Sequence, residues 1–180
     1  MWDALLKQYW QVTVFKETPA NTPYSPILLV IVSFLFFLLI IVQWYLAEVK
    51  HQFNPAIAVL AGMTLLCTYF VYTFILLKLY KKSNRALQTL TSLLASHLII
   101  HLFVLPLLLI TPSLFDTGMD KGLVLVIGIV YLILTLGLTA WQFLITAQIY
   151  KYALDLDYFT AILASFGLLA CTILTVSFWQ

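Results

Sequence analysis

Residues 26–47 read PILLVIVSFLFFLLIIVQWYLA, 22 positions without one Asp, Glu, Lys or Arg, closing on Trp44 and Tyr45. A helix crosses a hydrocarbon layer with about 20 apolar residues, and tryptophan and tyrosine gather where it leaves that layer. This stretch reads as a membrane span, and it has company. The runs 18–47, 51–77, 86–115, 122–150 and 158–180 all lack ionic residues, and none is shorter than 23. The 180-residue chain is 63% apolar and 9% charged, whereas soluble domains carry about 25% charged residues. The fold class is therefore all-α, a polytopic bundle of five transmembrane helices. The spans fall at about 26–47, 55–77, 90–114, 123–147 and 159–179, making 26–180 the membrane domain and 1–25 its lead-in.

That lead-in has two parts. Residues 2–15, WDALLKQYWQVTVF, place Trp2, Leu5, Leu6, Tyr9 and Trp10 at helical spacing among polar neighbours. Such a pattern suits an amphipathic helix at the bilayer surface. Pro19, Pro23 and Pro26 then hold a stiff elbow into the first span. Asp3 precedes Lys7 and the long apolar run starts only at Pro26. The stretch does not read as a cleavable signal peptide, so the first span is expected to be retained.

Charge gives the orientation. With five spans, the amino-terminal segment, the second-to-third loop and the fourth-to-fifth loop share one side. They hold Lys7, Lys16, Lys78, Lys81, Lys82, Arg85 and Lys151, against Lys50 and Lys121 opposite. Cytoplasmic loops collect Lys and Arg, so the amino terminus is expected inside and the carboxyl terminus outside, in a bacterial cytoplasmic membrane. The cluster Lys78, Lys81, Lys82 and Arg85 is expected to meet anionic lipid headgroups on the inner face. The formal charge is only +2 and scattered, which excludes a nucleic-acid-binding surface.

His97 and His101, in ASHLIIHLF, stand four apart and so on one face of the third span. Three roles fit that spacing: hydrogen bonds to Thr68, Gln142 or Thr146 on other helices, a polar cavity or proton path, or two ligands of a metal ion. No carboxylate lies in any span to complete a metal site, so no metal and no other cofactor is expected. Gln142 and Gln148, with Thr139 and Thr146, give the fourth span a polar flank, Gln43 lies near the outer end of the first, and Trp141 sits mid-span. Small residues at 58, 61 and 62 and at 161, 164, 165 and 167 permit close helix approach, within the chain or between two copies.

Catalytic constellations are missing. All seven acids lie in loops or tails, outside any nucleophile–base–acid grouping. Asp155 and Asp157 read as caps ahead of the last span. The two cysteines, Cys67 and Cys171, read as small buried hydrophobes without paired spacing. No catalytic residue is assigned and no enzyme is expected.

The layout resembles the Yip family of membrane proteins, through the elbow FKETPANTPYSP at 15–26 and the bridge IYKYALDLDYFTAILAS at 149–165. The long acidic-aromatic arm of the eukaryotic members is not in this sequence. The resemblance implies a five-span fold with a cytoplasmic lead-in rather than a particular activity. The sequence thus describes a non-enzymatic integral membrane protein that organises or binds partners. Those partners would be the lipid bilayer, another membrane protein or a second copy of the chain. The alternative is a small transporter or channel component using the His97–His101 face.

Overall fold

The computed structural model describes residues 2–47, 54–115 and 121–179. Among them are six α-helices and no strand: α1 (Trp2–Thr13), α2 (Pro26–Ala47), α3 (Pro55–Leu79), α4 (Ala86–Phe115), α5 (Lys121–Leu154) and α6 (Tyr158–Ser177). The five from α2 onward are long and apolar enough to cross a membrane. Backbone polar groups have no water to bind in hydrocarbon, so continuous helices are the form such runs must take. The protein is a multi-pass integral membrane bundle. The first-to-second span connection at 48–53 and Asp116 to Asp120 lie outside the described residues; Asn54 caps α3 by accepting from the Ala56 and Ile57 amides.

Two boundaries differ from the sequence expectation. The third span begins at Ala86 rather than near residue 90, and the fourth runs on to Leu154 rather than stopping near 147. The stretch 148–158, QIYKYALDLDY, which the sequence reading leaves as a polar bridge between the last two spans, is therefore mostly the last turns of α5, where Ile149, Tyr150, Ala153 and Leu154 are buried. Burial of one face carries the helix through the polar positions.

Three helices end alike. Phe15, Lys81 and Asp155 adopt positive φ of 64°, 57° and 54°. The following amides reach back five residues, from Lys16 to Gln11, Lys82 to Leu77 and Leu156 to Lys151. These are Schellman caps built without glycine, each costing roughly 1 kcal/mol in backbone strain. All three lie at the end of the bundle where the chain passes from α3 to α4 and from α5 to α6.

Helix α4 is central, packing against α1, α2, α3 and α5, while α6 closes the bundle against α3 and α5. The expected surface helix α1 lies partly inside: Tyr9, Val12 and Thr13 are buried, while Leu6 and Trp10 face outward. Gln88, Ser92 and Ser96, one face of α4, hold the lead-in. Gln88 Nε2 donates to Thr22 O at 2.8 Å, Ser92 Oγ lies 3.2 Å from Thr22 Oγ1, and Ser96 Oγ lies 3.1 Å from Thr13 Oγ1. The apolar stripe of α1 covers protein first and leaves only an edge for lipid.

The small residues are used within the chain. Ala58, Ala61, Ala161, Ala164 and Ser165 are buried, and Gly62 lies against the Phe37 ring of α2. At Gly167, a Cβ would lie 2.0 Å from Tyr72 Oη, the hydroxyl that donates to Ala164 O at 2.7 Å. Gly167→Ala is thus expected to cost about 1–3 kcal/mol by overpacking, seen as a lower unfolding midpoint in detergent micelles. In a Tyr72→Leu background the same change should cost almost nothing, and an equal cost in both backgrounds would show that α3 and α6 do not meet there.

Candidate functional site: a polar interlock on the central helix

A histidine inside hydrocarbon must place its ring N–H and its ring lone pair on protein groups. His97 is buried and does both. Nε2 lies 2.8 Å from Thr146 Oγ1, and Nδ1 lies 2.8 Å from Tyr69 Oη and 3.1 Å from Gln142 Nε2. The tautomer follows from proton counting. Thr146 has one hydroxyl proton, which it gives to Gln142 O at 2.8 Å, so it must accept from His97 Nε2–H. Nδ1 is then the bare acceptor, facing two donors. One neutral ring fastens α4 to α3 through Tyr69 and to α5 through Gln142 and Thr146.

His101 is fastened differently. Gln43 Nε2 donates to the His101 carbonyl at 2.9 Å, and Gln43 Oε1 lies 2.8 Å from His101 Nδ1. A carbonyl only accepts, which fixes the amide orientation and puts the proton on Nδ1. The two histidines therefore carry opposite tautomers and serve different helices, His101 joining α4 to α2. Aromatic rings fill the gap between them. Phe36 stands edge-on to both His101 and Tyr69, at 5.7 and 5.6 Å between centroids, and Tyr69 edge-on to His97 at 5.2 Å.

Further pairs complete the set. Thr73 Oγ1 and Tyr150 Oη, both buried, are 2.8 Å apart, and Thr68 Oγ1 lies 2.9 Å from Thr175 Oγ1. Thr68, a candidate partner of the histidines, instead joins α3 to α6. Trp141 donates its indole N–H to Thr13 O at 2.8 Å and packs edge-on against Trp10, so the mid-span tryptophan ties down α1. A cavity of about 60 Å³ adjoins His97, lined also by Tyr69, Thr139, Gln142, Ser165 and Thr172. Gln148 is not part of this cluster; it lines a separate groove between α5 and α6. Among the described residues no three of His, Cys, Asp and Glu converge.

The basic cluster at 78–85 divides. Asp155 takes Lys82 Nζ and, at 2.9 Å, Arg85 Nη1, which also donates to Tyr152 O at 3.0 Å and Ala153 O at 3.2 Å. Arg85 thereby serves the last carbonyls of α5. The hydrogen bonds from Arg85 and Lys82 hold the Asp155 carboxyl down to about 2. It stays ionised at any physiological pH. Asp155 is thus an ion-pair hub rather than a cap of α6. The cap is Asp157, which accepts from the Thr160 amide at 3.1 Å, and its carboxyl is lowered by the hydrogen bonds from Thr160. Lys78 and Lys81 make no ion pair among the described residues.

Sequence reasoning missed Tyr69, Gln43 as the partner of His101, and the Lys82–Asp155–Arg85 clamp. The ring geometry sets an order of substitution costs. His97→Leu strands the Tyr69 hydroxyl and the Gln142 and Thr146 side chains together, so a loss of about 1–2 kcal/mol is expected in detergent unfolding. His97→Gln keeps a donor and an acceptor and should lose less than half of that. His101→Leu leaves Gln43 bonded to the backbone and should cost about 0.6 kcal/mol. A His97→Leu protein as stable as the parent would show that the interlock does not hold the bundle.

Comparison with protein-family models, with curated proteins and with solved structures finds no match to this chain.

Proposed function

We propose that this protein is a non-enzymatic membrane scaffold, acting through what its rigid bundle and its basic end bind rather than through chemistry in its core. The observation that supports this reading is the satisfied ring of His97, whose two nitrogens engage Tyr69, Gln142 and Thr146, beside the two-point contact of Gln43 on His101. Such a core resists rearrangement, which suits a platform. The proposed setting is a bacterial inner membrane, with the amino terminus and the Lys78–Arg85 segment cytoplasmic and a Yip-like arrangement of spans. Lys78 and Lys81, without ion-pair partners among the described residues, would meet anionic headgroups, and a membrane protein or a second copy would dock on the apolar flanks.

The cavity of about 60 Å³ beside His97 supports a second reading, a polar path for protons or a small solute. Four of its hydroxyls, on Thr139, Thr146, Ser165 and Thr172, already donate to helix carbonyls. They can offer only acceptors inward.

One reconstitution separates the two. Proteoliposomes carrying a pH-sensitive dye should collapse an imposed proton gradient no faster than empty vesicles. Acceleration of about tenfold or more that His97→Gln removes would replace the scaffold with the path. Reporter fusions after Asn84 and after Met119 test the setting: a cytoplasmic signal at Asn84 and an external one at Met119 are expected, and matching signals would refute the orientation.

A further inference from the structure

Between the inner ends of α5 and α6 lies a groove of about 380 Å³ lined by Phe15, Leu144, Ala147, Gln148, Lys151, Tyr152, Tyr158, Ala161 and Ile162. Its chemistry changes along its length. Leu144, Ala147, Ala161 and Ile162 make an apolar channel, narrow-walled because alanines stand where the helices approach. One turn on from Leu144 stands Gln148, and two turns on, about 10 Å away, stands Lys151 among the three aromatic rings. An acyl chain below and a polar headgroup above have this same order.

The cation at the mouth is available. Lys151 Nζ stands 3.3 Å from the centroid of the Tyr158 ring and 5.4 Å from that of Tyr152, so the rings hold it in place while its N–H groups face no carboxylate at ion-pair distance among the described residues. The acids beside the groove-lining segments are engaged elsewhere, Asp155 by Lys82 and Arg85, Asp157 by Thr160 and Glu17 by Asn21. Gln148 is half-buried in the groove, and among the described residues its amide has no hydrogen-bond partner, unlike Gln43, Gln88 and Gln142. Phe15 reaches the groove from a left-handed backbone conformation, φ 64°. A strained residue, an unpartnered amide and a carboxylate-free lysine converge on one channel.

We propose that this groove binds one anionic phospholipid from the surrounding leaflet, its phosphate at Lys151 and Gln148 and one acyl chain between Leu144 and Ile162. The site deepens the scaffold reading, but its occupancy does not depend on orientation or on the absence of a proton path, because binding in micelles has no sidedness. The free ammonium favours an anionic lipid over a zwitterionic one, whose own cation would compete for the phenol faces that Lys151 occupies.

Native mass spectrometry of the full chain in detergent, titrated with dioleoyl phosphatidylglycerol or dioleoyl phosphatidylcholine, tests it. One phosphatidylglycerol should bind at least about fivefold more tightly than phosphatidylcholine, as expected for one lysine near a phosphate. Lys151→Gln should remove that preference, and Leu144→Trp, at a half-exposed position, should weaken both lipids by obstructing the chain. Lys7→Gln, at an exposed position outside the groove lining, should leave binding within twofold of the parent. Equal binding of the two lipids, a Lys151→Gln protein that keeps its preference, or a Lys7→Gln protein that loses as much as Lys151→Gln would overturn the proposal. If Leu144→Trp fails to fold, Ile162→Trp takes its place with the same expectation.

Discussion

Every hydrogen-bonding group that enters hydrocarbon must find its partner in protein, and here that requirement converges on α4. One face of this helix, Gln88, Ser92 and Ser96, engages the lead-in, while His97 engages α3 and α5 and His101 engages α2. Apolar packing alone would leave rotation of α4 weakly determined, because lipid tails are as apolar as leucine. Hydrogen bonds to several neighbours at different heights remove that freedom. Each contributes only about 0.6 kcal/mol on average in membranes, so their combined effect is register more than stability. The tautomers express the same constraint: His97 must carry its proton on Nε2 and His101 on Nδ1, since each partner has only one compatible role left.

The interlock lies toward one half of the bundle, and the rest of the architecture follows that asymmetry. The α5 segment 145–154 is largely buried, whereas Leu125, Val126, Ile129, Val130, Leu132, Ile133, Leu134 and Leu136 are exposed around the rest of the same helix, outside one half-buried stripe at Val124, Ile127, Tyr131 and Leu138. Where polar groups cross-link the helices, small residues also bring them close, and Schellman caps and the Lys82–Asp155–Arg85 clamp finish the ends. Arg85 links the levels by joining the α3–α4 connection to the terminal carbonyls of α5. The far half of α5 presents leucine, isoleucine and valine, the surface that acyl chains solvate without cost.

How much of this could be read from the sequence varies with the range of the interaction. Span number and the ends of α2 depend on hydropathy and proline, which are local, and they were legible at 26–47. The ends of α4 and α5 depend on what buries Ala86–Thr89 and Ile149–Leu154, and so they were misplaced. Gln142 and Thr146 were legible as partners of His97 because they stand four apart on one helix, as the histidines do. Tyr69 was not, since its hydroxyl sits on an aromatic ring that hydropathy counts as core. Gln43 stands out in the sequence as a polar residue near the end of a span, but its partner does not, because pairing residues 58 positions apart requires the relative heights of α2 and α4. Asp155 looked like Asp157, two residues away; only the positive φ at Asp155 turns its carboxylate to Lys82 and Arg85 rather than to α6.

The closed proton inventory also bears on what the core can do. To carry a proton onward, His97 would have to accept at one nitrogen and release at the other. Nδ1 faces the Tyr69 hydroxyl and an amide of Gln142, and Nε2 faces Thr146, whose proton is committed to the Gln142 carbonyl. A net transfer would require Thr146 to break its bond to the helix and Tyr69 to reverse its own, while the cavity offers hydroxyl oxygens as acceptors with no ionisable residue other than Tyr69 and His97 in its lining. Each reversal exposes a polar group to a low-dielectric surrounding, where an unmade hydrogen bond costs about 1–3 kcal/mol. The arrangement that fastens three helices to one ring thus opposes conduction through it. This opposition is why the scaffold reading takes precedence over the path.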